Sequence, residues 1–182
     1  MKKLLLIIIQ LVLFHSLQAQ VKLPINTETN RYEFSEVIEI NKSKNDLFSN
    51  ARTFFLKTFQ NPNSVIEFQD KEDGRIEGSF AQEIFIKPMG MAISAGNIKY
   101  DITILTKDNK YKYIINDLYY LNPLRKVVWN EGNFENIQID GLSIKGPTKK
   151  QLSYINEQII EHVSSIINDL KTQMNKASLN DF

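Results

Sequence analysis

Between Asn97 and Asp117 the chain alternates almost without interruption, and this pattern leaves it little freedom. Ile98, Tyr100, Ile102 and Ile104 alternate with Lys99, Asp101 and Thr103, the period-2 signature of a strand buried on one face. Asp108-Asn109 follows as a two-residue turn, because both residue types tolerate positive φ. The turn predicts a register. Ile104 faces Tyr113, Ile102 faces Ile115 and Tyr100 faces Asp117, with all six on one side. Lys99, Asp101, Lys110, Lys112 and Asn116 take the opposite, solvated side. A slip of one residue would put the apolar set in water, so the register is strongly specified.

An apolar sheet face needs a cover, and the C-terminal third supplies one. Pro147-Thr148 opens a long helix, with Thr148 and Gln151 placed as a capping box. Leu152, Ile155, Ile159, Val163, Ile166, Ile167, Leu170 and Met174 form one apolar stripe at helical spacing over about seven turns. A shorter helix is predicted from Lys44 to Phe59, capped by Ser43 and burying Leu47, Ala51, Phe54, Phe55 and Phe59. Asn61-Pro62-Asn63 ends it.

The remaining strands read less cleanly. In residues 31–40, Tyr32, Phe34, Ile38 and Ile40 share a parity that Glu36 breaks. Residues 64–69 and 75–86 read as strands on either side of a polar turn, and Gly78 inside the second predicts a bulge or bend. Residues 87–96 form a loop carrying Pro88, Met89 and Met91. Residues 121–146 are the least readable, with short strands expected around 127–129 and 137–139.

At the N-terminus, Lys2 and Lys3 precede residues 4–14, which are apolar except for Gln10. Small Ala19 then stands at the position before a cleavage site. This is the layout of a secretory signal peptide. An eleven-residue apolar helix reaches roughly 16 Å, against a hydrocarbon core of about 30 Å, too short for an anchor. The expected organisation is a signal peptide at 1–19, an extended leader at 20–30, one domain at 31–176 and a tail at 177–182. The destination is the periplasm or the exterior. No later segment is long and apolar enough to span a membrane. Cleavage removes Lys2 and Lys3 and leaves 20 basic against 21 acidic residues, a net charge of −1. That balance attracts no polyanion over a whole face, so no nucleic-acid partner is expected. The chain has no cysteine. Disulfides, thiolate metal sites, thiol nucleophiles and lipid attachment through sulfur are thereby excluded.

Three stretches carry a family resemblance. The first is Tyr32-Glu33-Phe34-Ser35-Glu36-Val37-Ile38-Glu39-Ile40 with the helix start Ser43-Lys44-Asn45-Asp46-Leu47. The second is Asn97-Ile98-Lys99-Tyr100-Asp101-Ile102-Thr103-Ile104, continuing through Lys107-Asp108-Asn109-Lys110-Tyr111-Lys112-Tyr113 to Asp117. The third is the closing amphipathic helix. Together they resemble the domain of unknown function described as having a TATA-binding-protein-like (TBP-like) fold, found in exported proteins of Gram-negative bacteria. That family usually has a glycine in the hairpin turn, where this chain has Asn109. The resemblance implies an α+β fold: a curved antiparallel sheet in the order β-α-β-β-β-β-α, with a long C-terminal helix packed on it. It also implies export, and it implies no activity. The fold name does not bring DNA binding with it, because function lives in sites.

The candidate residues each carry two readings. Tyr100, Tyr113 and Asp117, placed by the register under the long helix, are either polar contacts of a ligand cavity or a satisfied buried pair. Glu36 carries the same ambiguity. Trp129, Met89 and Met91 lie in loops and mark a partner surface, or Trp129 plugs one end of the core. His162, the one histidine beyond the signal peptide, falls at the edge of the helix stripe. Asp70, Glu72 and Asp73 before Gly74 lack the ligand spacing of a calcium loop and read as a solvated turn. The sequence calls for no cofactor, no metal and no catalytic residue. The expected function is a non-enzymatic binding protein holding a hydrophobic small molecule between sheet and long helix. The alternative is a cell-envelope protein–protein interaction module, and a hydrolase is the weakest reading. Unfilled volume under the closing helix would favour the first. A filled core with exposed loop apolars would favour the second, and polar groups clustered at His162 the third.

Overall fold

The computed structural model describes residues 21–59, 65–122, 127, 129–137 and 146–177. The expected signal peptide with its cut after Ala19, the Asn61-Pro62-Asn63 stop, most of the strand around 137–139 and the tail beyond Ala177 lie outside the described residues.

Ten regular elements are described. A small hairpin, β1 (Ile25–Asn26) and β2 (Arg31–Tyr32), precedes β3 (Phe34–Glu39) and α1 (Lys44–Thr58). Then come β4 (Ile66–Asp70), β5 (Arg75–Ile86), β6 (Ile93–Lys107), β7 (Lys110–Leu121), the short β8 (Gly132–Asn133) and α2 (Lys149–Met174). The main sheet is antiparallel in the order β3-β7-β6-β5-β4, with β8 paired to β7. This is the α+β architecture expected. The strand read over residues 31–40 is broken at Glu33, whose N–H donates to the Pro24 carbonyl at 3.1 Å. That bond folds the β1–β2 hairpin back, and Asn30 turns it with φ 55°, a conformation Asn adopts more readily than most residues.

Both helix starts follow their sequence signals. The Ser43 hydroxyl accepts from the Asp46 N–H at 3.2 Å, and Thr148 with Gln151 closes a full capping box. The α1–β3 corner is also pinned to the β6–β7 turn. Asp108 accepts from the Lys44 N–H at 2.8 Å, and the Asn109 carbonyl accepts from the Ile40 N–H at 2.9 Å. Asn109 sits at φ 63°, the left-handed conformation that Gly adopts freely and Asn more readily than most residues.

The core is one layer between the helices and the inner sheet face. Ile98, Tyr100, Ile102, Ile104 and Ile115 from the sheet are buried against Ile155, Ile159, Val163, Leu170 and Met174 from α2. Leu47, Ala51, Phe54 and Phe55 of α1 fill the other end. The bulge expected in the strand of Gly78 lies instead in β4 opposite it, where Glu67 is the extra residue between Ile66 and Phe68, while β5 runs regularly through Gly78. A Cβ at Gly78 would come within 2.9 Å of Phe55 Cε1 and closer still to the Val65 carbonyl oxygen.

The predicted β6–β7 register holds from the turn through Ile102↔Ile115 and Asp101↔Asn116, then breaks. The next pair is Lys99↔Tyr119, so Asp117 and Leu118 together oppose Tyr100. This is a β-bulge, and Asp117 occupies its left-handed position at φ 51°. Parity inverts across it. Tyr113 and Ile115 are buried before the bulge, Leu118 and Tyr120 after it, and Asp117 is turned out to solvent. The expected Tyr100–Asp117 facing pair is therefore corrected, because the extra residue rotates Asp117 off the inner face.

Candidate functional site

Tyr100 is a core residue. Its ring stacks on Phe80 with centroids 5.0 Å apart, and its hydroxyl donates to Gln82 Oε1 at 2.8 Å. Gln82 in turn donates to the Gln158 carbonyl of α2 at 3.2 Å. Burial pushes the Tyr100 hydroxyl far above the usual phenol range. The side chain of the same Gln158 acts as a short piece of strand. Its Oε1 accepts from the Phe85 N–H at 3.0 Å, and its Nε2 donates to the Phe85 carbonyl at 2.9 Å. Neither glutamine was legible as a site residue, because their partners are a hydroxyl and backbone groups with no sequence pattern.

Tyr113 and Glu36 meet elsewhere, at the β3 edge. The strands pair them directly. The Tyr113 hydroxyl donates to Glu36 Oε2 at 3.0 Å, and Lys171 of α2 donates to the same oxygen at 2.7 Å. These two donors, Lys171 first, hold the Glu36 carboxyl below the usual carboxylate range. Burial, with Glu36 adding to it, raises the Tyr113 phenol. The trio clamps α2 to the edge strand. It borders an open groove under the β1–β2 hairpin, which Ile25, Phe34 and Ile167 also line.

Asp117 pairs with Arg31 at the rim, and both side chains are about half exposed. Trp129 is 5% exposed and packs on Tyr120 with centroids 6.0 Å apart, so it plugs the end of the core. The five residues singled out in the sequence thus occupy four separate places and form no common site.

His162 lies against Phe80 and Tyr100, with ring centroids 5.9 and 6.2 Å away. Burial holds its pKa below the ordinary value. The neighbours that the structure gives its ring are aromatic. Asp70 accepts from the N–H groups of Glu72 and Asp73 at 2.7 and 3.0 Å, so its carboxylate closes its own turn. Among the described residues, no group of three or more His, Asp or Glu could hold a metal ion.

The space under α2 is filled. Ile98, Tyr100, Ile102, Ile104 and Ile115 on the sheet, and Ile159, Val163 and Leu170 opposite, have no accessible area. A void large enough for water beside any of them would expose part of it. By contrast, no described helix covers the outer face of the sheet. Val37, 56% exposed, and Phe68 stand on it, among Lys99, Asp101 and Glu67. The Lys99 ammonium lies 3.5 Å from Asp101 and 4.0 Å from Glu67. At the β5–β6 tip, Met89 is 99% and Met91 67% exposed.

The comparisons with known proteins agree with this geometry. Residues 34–121 match the sequence model of the "Domain of unknown function (DUF4468) with TBP-like fold". A crystal structure of a DUF4468 family protein from Bacteroides ovatus superposes with a TM-score of 0.63 at 14% identity, covering 87% of this chain and 93% of that one. A TBP-like protein from Parabacteroides distasonis superposes with a TM-score of 0.57 at 18% identity, covering 81% and 96%. At these identities the likeness is one of fold alone. No curated protein matches the chain. No helix among the described residues is long and apolar enough to cross a membrane. The stretch from Phe34 to Leu121, which holds α1 and strands β3 to β7, is the part of the chain that is similar to the DUF4468 family of domains of unknown function with a TBP-like fold.

Proposed function

We propose that this chain is an exported, non-enzymatic interaction module of the cell envelope, whose partner protein docks on the bare outer face of the sheet. One observation carries the reading. Ile98, Tyr100, Ile102, Ile104 and Ile115 of the inner face are fully buried, while no described element packs on the outer face. A small hydrophobic molecule between sheet and helix is the weaker reading, since the side chains that would enclose it already touch one another. Export is supported by Lys2-Lys3 and the apolar run that follows them.

The outer face suits a protein better than a polyanion. Its lysines alternate with Glu67, Glu77 and Asp101, and Val37 and Phe68 give it apolar points among the charges. Mixed charges of this kind set orientation and register in a docked pair. The test is a photo-crosslinking residue placed at Val37 and, as a control, at Glu28 on the β1–β2 hairpin, in cells of the native host. The reading expects one discrete adduct from Val37 and none from Glu28. Absence of adducts at Val37, or equal adducts at both positions, would reject the sheet face as the docking surface.

A further inference from the structure

We propose that the β5–β6 tip, with the first turn of α2 beside it, docks on an anionic lipid surface. This site is separate from the sheet face and carried by different observations. Pro88–Gly90 makes a tight turn in which Met89 and Gly90 take φ values of 51° and 85°. The turn thrusts Met89 outward, so that Met89, Met91 and Ile93 are all exposed large apolar side chains at one end of the molecule.

Among the described residues, the charged side chains of the tip and of the first two turns of α2 are lysines. Gln158 of α2 is bonded to Phe85, and the Lys87 ammonium lies 4.7 Å from the centre of the Tyr154 ring. Helix and strand therefore run side by side toward the tip. Lys149 and Lys150, exposed in the first turn of α2, lie about one turn beyond Tyr154 on the tip side, and Met89 lies two residues beyond Lys87. Residues 84–96 contain no carboxylate, and α2 contains none before Glu157. Lysines in the first turn of a helix oppose its macrodipole, so helix stability does not account for them. Lys87, Lys149 and Lys150 form a basic collar behind an apolar point.

This arrangement fits a bilayer better than a protein. A stable protein interface needs about 800 Å² on each partner, and a convex turn with two methionines offers far less. A lipid surface accepts a small protrusion, takes the methionines into the headgroup–acyl boundary and holds the lysines among the headgroups. Each lysine near an anionic surface contributes ~1 kcal/mol, equivalent to about fivefold in partitioning.

Every described element lies within residues 21–177, so the test uses the chain from Gln20 onward, which removes the apolar N-terminus as a competing membrane contact. The chain has no cysteine. Met89→Cys can therefore carry a single polarity-sensitive fluorophore, with Met91→Cys as a second position and Glu28→Cys as a control. The probes are vesicles of phosphatidylcholine with and without about one-third phosphatidylglycerol, a ratio chosen to give a strong negative surface. The proposal expects a blue shift and brightening at residues 89 and 91 with the anionic vesicles alone, and no change at residue 28. In co-sedimentation, Lys149→Gln with Lys150→Gln should lower partitioning about 25-fold at low salt, as two such lysines imply. Met89→Ser with Met91→Ser should lower it at unchanged melting temperature. No fluorescence change at either position, equal binding to neutral vesicles, or variants that bind like the parent would overturn the proposal. Saturable binding of a polyglutamate peptide with no vesicle binding would overturn it in favour of an acidic protein partner.

Discussion

Asp117 reaches Arg31 at the rim of the sheet because a bulge turns it out of the parity that Tyr113 and Ile115 set. The backbone conformation at residue 117 should therefore matter more than the charge. Asp117→Asn keeps a side chain tolerant of φ 51° and loses an exposed ion pair, which contributes at most about 1 kcal/mol. Asp117→Val places a β-branched residue in the left-handed region and should cost about 1–2 kcal/mol or more. Urea denaturation of the two variants should separate them in that order. Equal losses would mean that the ion pair, and not the bulge, is the stabilising feature.

Gly78 allows β4 to begin close to α1. Gly78→Ala drives a methyl toward Phe55 and the Val65 carbonyl and should cost about 1–3 kcal/mol as overpacking. Thermal melts of this variant beside Ala81→Gly, an exposed position on the same strand, would check it. The first should fall well below the second.

Gln158 satisfies both backbone groups of Phe85. Truncation in Gln158→Ala leaves an N–H and a carbonyl without that partner, at a cost of about 1–3 kcal/mol. Gln158→Glu keeps the acceptor for the N–H but sets a carboxylate oxygen against the Phe85 carbonyl, and should be at least as destabilising. Hydrogen exchange at the Phe85 amide should accelerate in the alanine variant and less so in the glutamate one.

Burial holds the His162 pKa below its ordinary value of 6.5. Unfolding thus takes up a proton below about pH 6.5, the reference value in an unfolded chain. Stability from neutral His162 is full above that pH and declines as the pH falls toward the native pKa. Glu36, whose pKa is lowered, loses its contribution in a separate window, as pH falls below the carboxylate's ordinary value of 4.5. His162→Phe should flatten the stability profile just below pH 6.5 and leave the lower window unchanged. An unaltered slope near pH 6 would show that His162 is not the group responsible.

How much was legible depended on what each feature advertises. Ser43 and Thr148 announce helix starts through their spacing to Asp46 and Gln151, and both caps form. The stripe from Ile155 to Met174 faces the core because helical periodicity leaves it no other arrangement. The register failed at Asp117 because a period-2 reading assumes one residue per position, and this bulge has no glycine to flag it. A signal was present: apolar parity shifts between Ile115 and Leu118. Trp129, ambiguous in isolation, became a core plug only once Tyr120 was placed beneath it. The amides of buried Asn50 and half-buried Gln158 bond to backbone carbonyls, which any residue could supply, so no sequence pattern marks them. The Glu36–Tyr113 pairing follows from the register of two strands distant in sequence, and composition alone does not reveal it.

The central claim is that this molecule works through its outer surfaces and keeps nothing between sheet and helix. Native mass spectrometry of the protein, purified gently from its own cells and compared with its denatured mass, tests that claim most directly. The account predicts the same polypeptide mass in both states, with no small molecule extracted. A stoichiometric hydrophobic molecule, present in the native mass and lost on denaturation, would contradict it and return the function to the space under α2.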